Sequence, residues 1–190
     1  MAYLEKLAQI GKKMRILHIE DDVALQQELM LLLSDIFDFI TFARDGLEGL
    51  ASFEKNDFDL VITDIKMPKM DGIEMIEQMR KLKPSQHIIV TSAYNEIEYL
   101  TKLINLQVNG FILKPLDSNA MFQTLYRSVR HIEDEKELEA KTKELSILNE
   151  NLEKEAINKN LTYKKECSRA NIYKEAFDKL NNYLVITKDI

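Results

Sequence analysis

The sequence predicts an α/β protein, a doubly wound five-stranded parallel sheet followed by a long C-terminal α-helix. Three observations carry this. Short apolar runs alternate five times with segments of helical period, the pattern of repeated βα units. Runs such as Ile88-Ile89-Val90 and Leu60-Val61-Ile62 are apolar at successive positions, as strands buried on both faces require. All five glycines and all three prolines lie at or before Pro115, and after it neither occurs. A compact domain needs turn residues, so the remainder reads as one helix.

The elements follow in order. Leu4, Leu7 and Ile10 make a short apolar stripe before Gly11, a helix placed beside either the globular domain or the tail. Met14–Ile19 is the first strand. Val23–Phe37 is helical, with Val23, Leu25, Leu29, Leu32, Leu33 and Ile36 in period. Phe39–Ala43 is the second strand, and Asp45–Asn56 a helix with Asp45 as its N-cap. Leu60–Thr63 is the third strand. Gly72–Leu82 is a helix stopped by Pro84. Ile88–Thr91 is the fourth strand, Glu96–Asn105 a helix, and Gly110–Leu113 the fifth strand, ending at Lys114-Pro115. The last helix starts at Asp117 or Ser118.

Composition bounds the function. Hydrophobic residues make up 45% of 190, charged residues 31%, and the formal charge is −6. That supports a packed core. The acid excess lies in the globular part: residues 1–115 hold 13 basic and 18 acidic residues, against 13 and 14 in residues 116–190. Without a basic block, nucleic-acid binding is not expected. No run of about 18 apolar residues is present, so no membrane span is expected, and the N-terminus lacks the pattern of a secretion signal. The single cysteine, Cys167, rules out an internal disulfide framework. A cytoplasmic protein fits.

In a doubly wound sheet, sites form at the carboxyl ends of the strands. Glu20, Asp21 and Asp22 follow the first strand, Asp64 the third, Thr91 and Ser92 the fourth, and Lys114 the fifth. Singly, each has a plain structural reading: a helix cap, a turn hydroxyl, a surface charge. Together they form a hard oxygen site beside a lysine and a hydroxyl. Such a site suits Mg²⁺ and a phosphoryl group, with a carboxylate as nucleophile and the cations neutralising phosphoryl oxygens during in-line transfer.

These residues resemble the receiver domain of two-component response regulators, over about residues 13–130. The resemblance rests on Leu60–Gly72 (LVITDIKMPKMDG), Ile19–Asp22, Ile88–Tyr94 (IIVTSAY) and Phe111–Pro115 (FILKP). It implies a flavodoxin-like receiver fold with Asp64 as phosphoacceptor. It also implies Asp21, Asp22, Asp64 and the backbone carbonyl of Lys66 as Mg²⁺ ligands, and Lys114 at the phosphoryl group before a cis Pro115. Ser92 would be the hydroxyl that moves to the phosphoryl group, and Phe111 the aromatic that follows it. The family often has Thr at the position of Ser92 and Tyr at that of Phe111. Lys66 and Tyr94 are bulky neighbours that would screen attacking water. The implied partner is a histidine kinase or phosphotransfer protein. The chain is then no enzyme apart from assisting its own phosphoryl transfer. Flavodoxin-type FMN binding needs a phosphate loop where this chain has Glu-Asp-Asp. Haloacid-dehalogenase-type phosphatases have a second Asp at the position of Lys66.

In the tail, Leu138, Leu145 and Leu152 recur every seventh residue. Taken as d, they put Thr142, Asn149 and Ala156 at a. The register continues through Lys159, Glu166, Tyr173 and Leu180 at d, and Tyr163, Ala170, Phe177 and Leu184 at a. A helix of about 65 residues would run roughly 100 Å. It fits a two-stranded coiled coil, and Asn149 at a favours a parallel homodimer through residues 131–184. A fold-back into two antiparallel helices would need a turn, for which Asn158–Asn160 is the candidate. Tyr183–Ile190 shifts toward β character, like the start of a further domain. The expected division is 1–12 N-terminal extension, 13–130 receiver, 131–184 coiled coil and 185–190 downstream start. The expected function is a receiver passing its phosphorylation state through a dimeric coil to an effector. The alternatives are the regulatory fragment of a larger output enzyme, such as a nucleotide cyclase or kinase, and a non-phosphorylated dimer scaffold.

Overall fold

The computed structural model describes residues 2–93 and 99–186. The chain runs α1 (Ala2–Gly11), β1 (Arg15–Ile19), α2 (Val23–Ser34), β2 (Phe39–Ala43), α3 (Gly46–Lys55) and β3 (Leu60–Asp64). It continues α4 (Gly72–Leu82), β4 (His87–Ala93), α5 (Leu100–Asn105), β5 (Gly110–Lys114) and α6 (Ser118–Ile186). The five strands are all parallel, in the order β2-β1-β3-β4-β5. The expected alternation therefore holds, with element ends moved by a few residues. The helix expected from Glu96 is described from Leu100, and residues 94–98, Tyr94 among them, lie outside the described residues.

Strand alternation splits the core into two layers. On one face Ile16, Leu60, Ile62, Ile89 and Ile112 pack with Leu29, Leu33 and Phe37 of the α2 region and with Met121, Leu125, Val129 and Ile132 of α6. On the other, Leu17, Ile19, Val61, Ile88 and Val90 pack with Phe53 of α3, Ile73, Ile76 and Met79 of α4, and Leu103 of α5. Each of these residues is less than a tenth exposed, and a fully buried side chain of this size contributes roughly 1.5–3 kcal/mol.

The N-terminal stripe belongs to the globular domain. Leu7 and Ile10 are buried in the layer built from α2 and α6, and the Tyr3 ring lies 5.8 Å from that of Tyr126. Gly11 lets the chain pass Ile36, whose carbonyl oxygen would stand 2.8 Å from an added Cβ.

Two compact units emerge, residues 1–136 and residues 137–190. The first reaches past the expected boundary at 130 because Ile132 is still buried and Lys136 pairs with Asp59. In the second unit, Leu138, Leu145, Leu152, Tyr163, Tyr173 and Phe177 are all more than half exposed. The helix holds through Ile186, so Tyr183 to Ile186 prolong it where a turn toward β structure was expected. Residues 187–190 lie outside the described residues. Asn158–Asn160 sit within the helix, which makes no fold-back there.

Candidate functional site

The strand order reverses between β1 and β3, the place where an open parallel sheet leaves a crevice beyond its carboxyl ends. β1 delivers Glu20, which is 1% exposed, and β3 ends on Asp64, 8% exposed. With Asp21 they bring one carboxylate oxygen each to within 4.8 Å of the others. From β5, the Lys114 Nζ donates to Asp64 Oδ2 at 2.6 Å and to Glu20 Oε1 and Oε2 at 3.2 and 2.9 Å. The Ile65 N–H donates to the other Asp64 oxygen, Oδ1, at 2.7 Å.

Charge explains this geometry. Two nearly buried carboxylates are tolerable only when paired, and one ammonium serves both. Burial pushes the Glu20 carboxyl above its ordinary range, and the Asp64 charge adds to that against the bond from Lys114. Burial acts to lower the Lys114 ammonium, but hydrogen bonds to Asp64 and Glu20 outweigh it and hold it above its usual value. Three acids against one lysine leave the pocket negative, and every converging acidic donor is an oxygen. That donor set fits Mg²⁺.

One expected ligand is corrected. Asp22 does not join the cluster. Its Oδ1 accepts the N–H groups of Ala24 and Leu25 at 2.9 and 3.1 Å as the N-cap of α2. An N-cap carboxylate answers otherwise unpaired backbone donors, and that duty turns Asp22 away. The acids that converge with Asp64 are therefore Glu20 and Asp21. The signal was present in the sequence, since an Asp immediately before a helical run is a cap and leaves the two preceding acids for the strand end.

The other expected residues stand as follows. Thr91 pairs with Asp64 in the β3–β4 register, and its Oγ1 donates to the Thr63 carbonyl at 3.2 Å. Ser92, one step further and 4% exposed, donates to the Ala93 carbonyl at 3.2 Å. Phe111, on β5 opposite Val90, is half-buried against the α3–α4–α5 layer. The Lys114-Pro115 bond is cis, as expected. Lys66 lies in the loop between β3 and α4.

That loop is fixed by contacts the sequence did not reveal. Lys69, at φ 65°, pairs with Asp45, whose other oxygen caps α3 at the Glu48 N–H. The Lys69 hydrogen bond holds the Asp45 carboxyl below its usual range. Gly72 N–H donates to the Ile65 carbonyl at 2.8 Å, and a Cβ at Gly72 would run into the Asp64 carbonyl oxygen. Only glycine lets α4 begin this close to the end of β3.

Fold and pocket define a class, and the comparison with protein families agrees: the chain belongs to the response regulator receiver domain family, matched over residues 16–126. Among curated relatives it is 29% identical over 121 residues to the transcriptional regulatory protein ZraR of Klebsiella oxytoca, covering 64% of this chain and 27% of that protein. It is 31% identical over 121 residues to the chemotaxis protein CheY-3 of Vibrio cholerae, covering 62% of this chain and 93% of that one. A solved N-terminal domain of an uncharacterized protein from Wolinella succinogenes matches with a TM-score of 0.60 at 36% identity, over 65% of this chain and 98% of that one. The chain thus spans about a quarter of the ZraR length. No helix among the described residues is long and apolar enough to cross a membrane.

Proposed function

We propose that the domain accepts a phosphoryl group on Asp64 and passes the change of state along α6 to an effector. The observation that carries this reading is the convergence of Glu20, Asp21, Asp64 and Lys114 at three strand ends. The donor is a phosphohistidine of a kinase or phosphotransfer protein. The Asp64 Oδ–P bond forms as the histidine N–P bond breaks, and the leaving imidazole keeps the nitrogen electron pair and takes a proton.

Glu20, Asp21, Asp64 and the Lys66 carbonyl would hold Mg²⁺, which supplies positive charge to the phosphoryl oxygens. The chain's own residues do the rest. The Ile65 N–H holds Oδ1 and so fixes the Asp64 carboxylate, with Oδ2, paired with Lys114, as the attacking oxygen. Lys114 then follows the charge onto the phosphoryl oxygens. Ser92 turns its hydroxyl from the Ala93 carbonyl to the new acceptor, and Phe111 repacks behind it. The lysine pairing supports this order, because an ammonium already shared between two acids needs no new desolvation.

In the tail, the exposed heptad residues support a parallel two-stranded coil as the transmitting element, since a helix stripe this apolar is ordinarily covered. The protein works in the cytoplasm, where kinases of this class present phosphohistidine. The test is labelling with a small phosphodonor and Mg²⁺, read by intact mass. The wild type gains one phosphoryl group, whereas Asp64→Asn gains none. Equal labelling of the variant would refute the assignment.

A further inference from the structure

A second cluster of ligating side chains stands at the opposite end of the sheet. His87 is the first residue of β4, so it lies at the amino edge, away from the acidic pocket. Its Nε2 is 2.7 Å from Glu135 Oε2. His131 Nδ1 is 3.2 Å from the other oxygen of the same carboxylate. One donor atom from each of the three lies within 4.8 Å of the other two.

We propose that His87, His131 and Glu135 form a site for a Zn²⁺-type transition-metal ion that pins the start of β4 to α6. Two imidazoles and one carboxylate are a donor set of borderline softness, suited to Zn²⁺ and its neighbours and poor for Mg²⁺. The spacing is already close. An ion with bonds of about 2.1 Å in tetrahedral geometry holds its donors roughly 3.4 Å apart, and side chains whose donors already lie within 4.8 Å of one another reach it by small adjustments. His131 and Glu135 are four residues apart on α6, hence on one face, while His87 comes from a buried strand and is itself 7% exposed. The His131 and Glu135 side chains are 63% and 51% exposed, so an ion has a path in.

The arrangement also fits a cation better than a plain hydrogen-bonded clamp. The two imidazole rings have centroids 5.2 Å apart and share one carboxylate, which can neutralise only one imidazolium. In their neutral form both rings are the ligand form. His87 Nδ1 has no partner and is buried, as is Gln86 Oε1 one residue earlier. Metallation at Nε2 puts the proton on Nδ1.

The site lies wholly within the first compact unit, on the last turns of α6 before that unit ends. An ion there would set how firmly α6 is held where it leaves the sheet, independently of Asp64. The test is a Zn²⁺ titration against a chromophoric chelator, using the Cys167→Ser chain with excess Mg²⁺ so that neither the exposed thiol nor the acidic pocket competes. One ion per chain is expected, with affinity weakened about 10-fold or more in both His131→Ala and Glu135→Gln and unchanged in Asp64→Asn. Both surface variants keep their fold, checked by circular dichroism. Hydrogen exchange at the amides of residues 131–135 slows with Zn²⁺ in the parent and not in His131→Ala. No stoichiometric binding, or affinity in either variant equal to that of the parent, would overturn the site.

Discussion

His18 shows what a single buried side chain can do to this fold. It occupies the middle of β1, is fully buried with neither ring nitrogen hydrogen-bonded, and meets Phe42 edge to face at 5.6 Å. Burial, helped by the Lys114 charge, lowers its pKa from 6.5 to about 4. The folded state therefore refuses a proton that the unfolded chain accepts between those two values, and stability falls as pH drops through that window. The wild type is expected to lose about 3 kcal/mol relative to His18→Leu between pH 6.5 and 4, measured by urea unfolding at several pH values. A parallel decline in both proteins would show that His18 carries a proton in the fold. In the sequence, His18 is one letter inside an apolar run, and nothing there marks it as neutral. Asp64 and Lys114 were legible because they punctuate strand ends. Asp22 misled because capping and metal binding ask for the same residue type at neighbouring positions, and only the backbone geometry decides between them.

Among the elements, α4 shows how one side chain ties several loops. Arg80 donates to the carbonyls of Leu106 and Gln107 at 2.8 Å each, to that of Pro84 at 2.9 Å, and to that of Gln86. Burial lowers its pKa, and the carbonyls take the place of lost water. Arg80→Ala would leave the part-buried Leu106 and Gln86 carbonyls short and is expected to cost about 1–2 kcal/mol. Arg80→Lys should recover only part of that, because an ammonium cannot span the same fork of acceptors. Thermal melts followed by circular dichroism would show the order wild type, Lys, Ala, and equal melting of all three would dismiss the clamp. Helix existence was readable from hydrophobic period and a cap: Asp45 accepts the Glu48 N–H at the start of α3, as expected, while the Asp71 cap of α4 came from the structure. The clamp was not readable, because its acceptors are backbone atoms brought together only by the β4 and α5 connections. The ends of β3 and β4 moved outward for a related reason. His87 and Asp64 are polar, so periodicity excludes them, yet the parallel ladder pairs both.

For the whole molecule, the proposed dimeric coil makes a prediction about mass. Light scattering with and without Mg²⁺ and beryllofluoride, a phosphoryl mimic, should report a dimer in both states if the coil is a permanent scaffold. Replacing Leu145 and Leu152 by Lys should then give a monomer while the receiver keeps its circular dichroism signal. A monomer in the parent chain under all conditions would refute the parallel coil. The architecture was legible at this scale because every strand announced itself by an apolar run and the last Gly and Pro mark where the long helix begins. The place of α1 was not, since an apolar stripe of three residues fits any groove of matching width. Its burial beside α2 and α6 has a consequence for recognition. That groove already has an occupant, tethered by a short connection and so present at a high effective concentration. Any visitor with an apolar helix of its own must compete with that resident, and a weak one is turned away, which leaves the acidic rim of the sheet as the open doorstep.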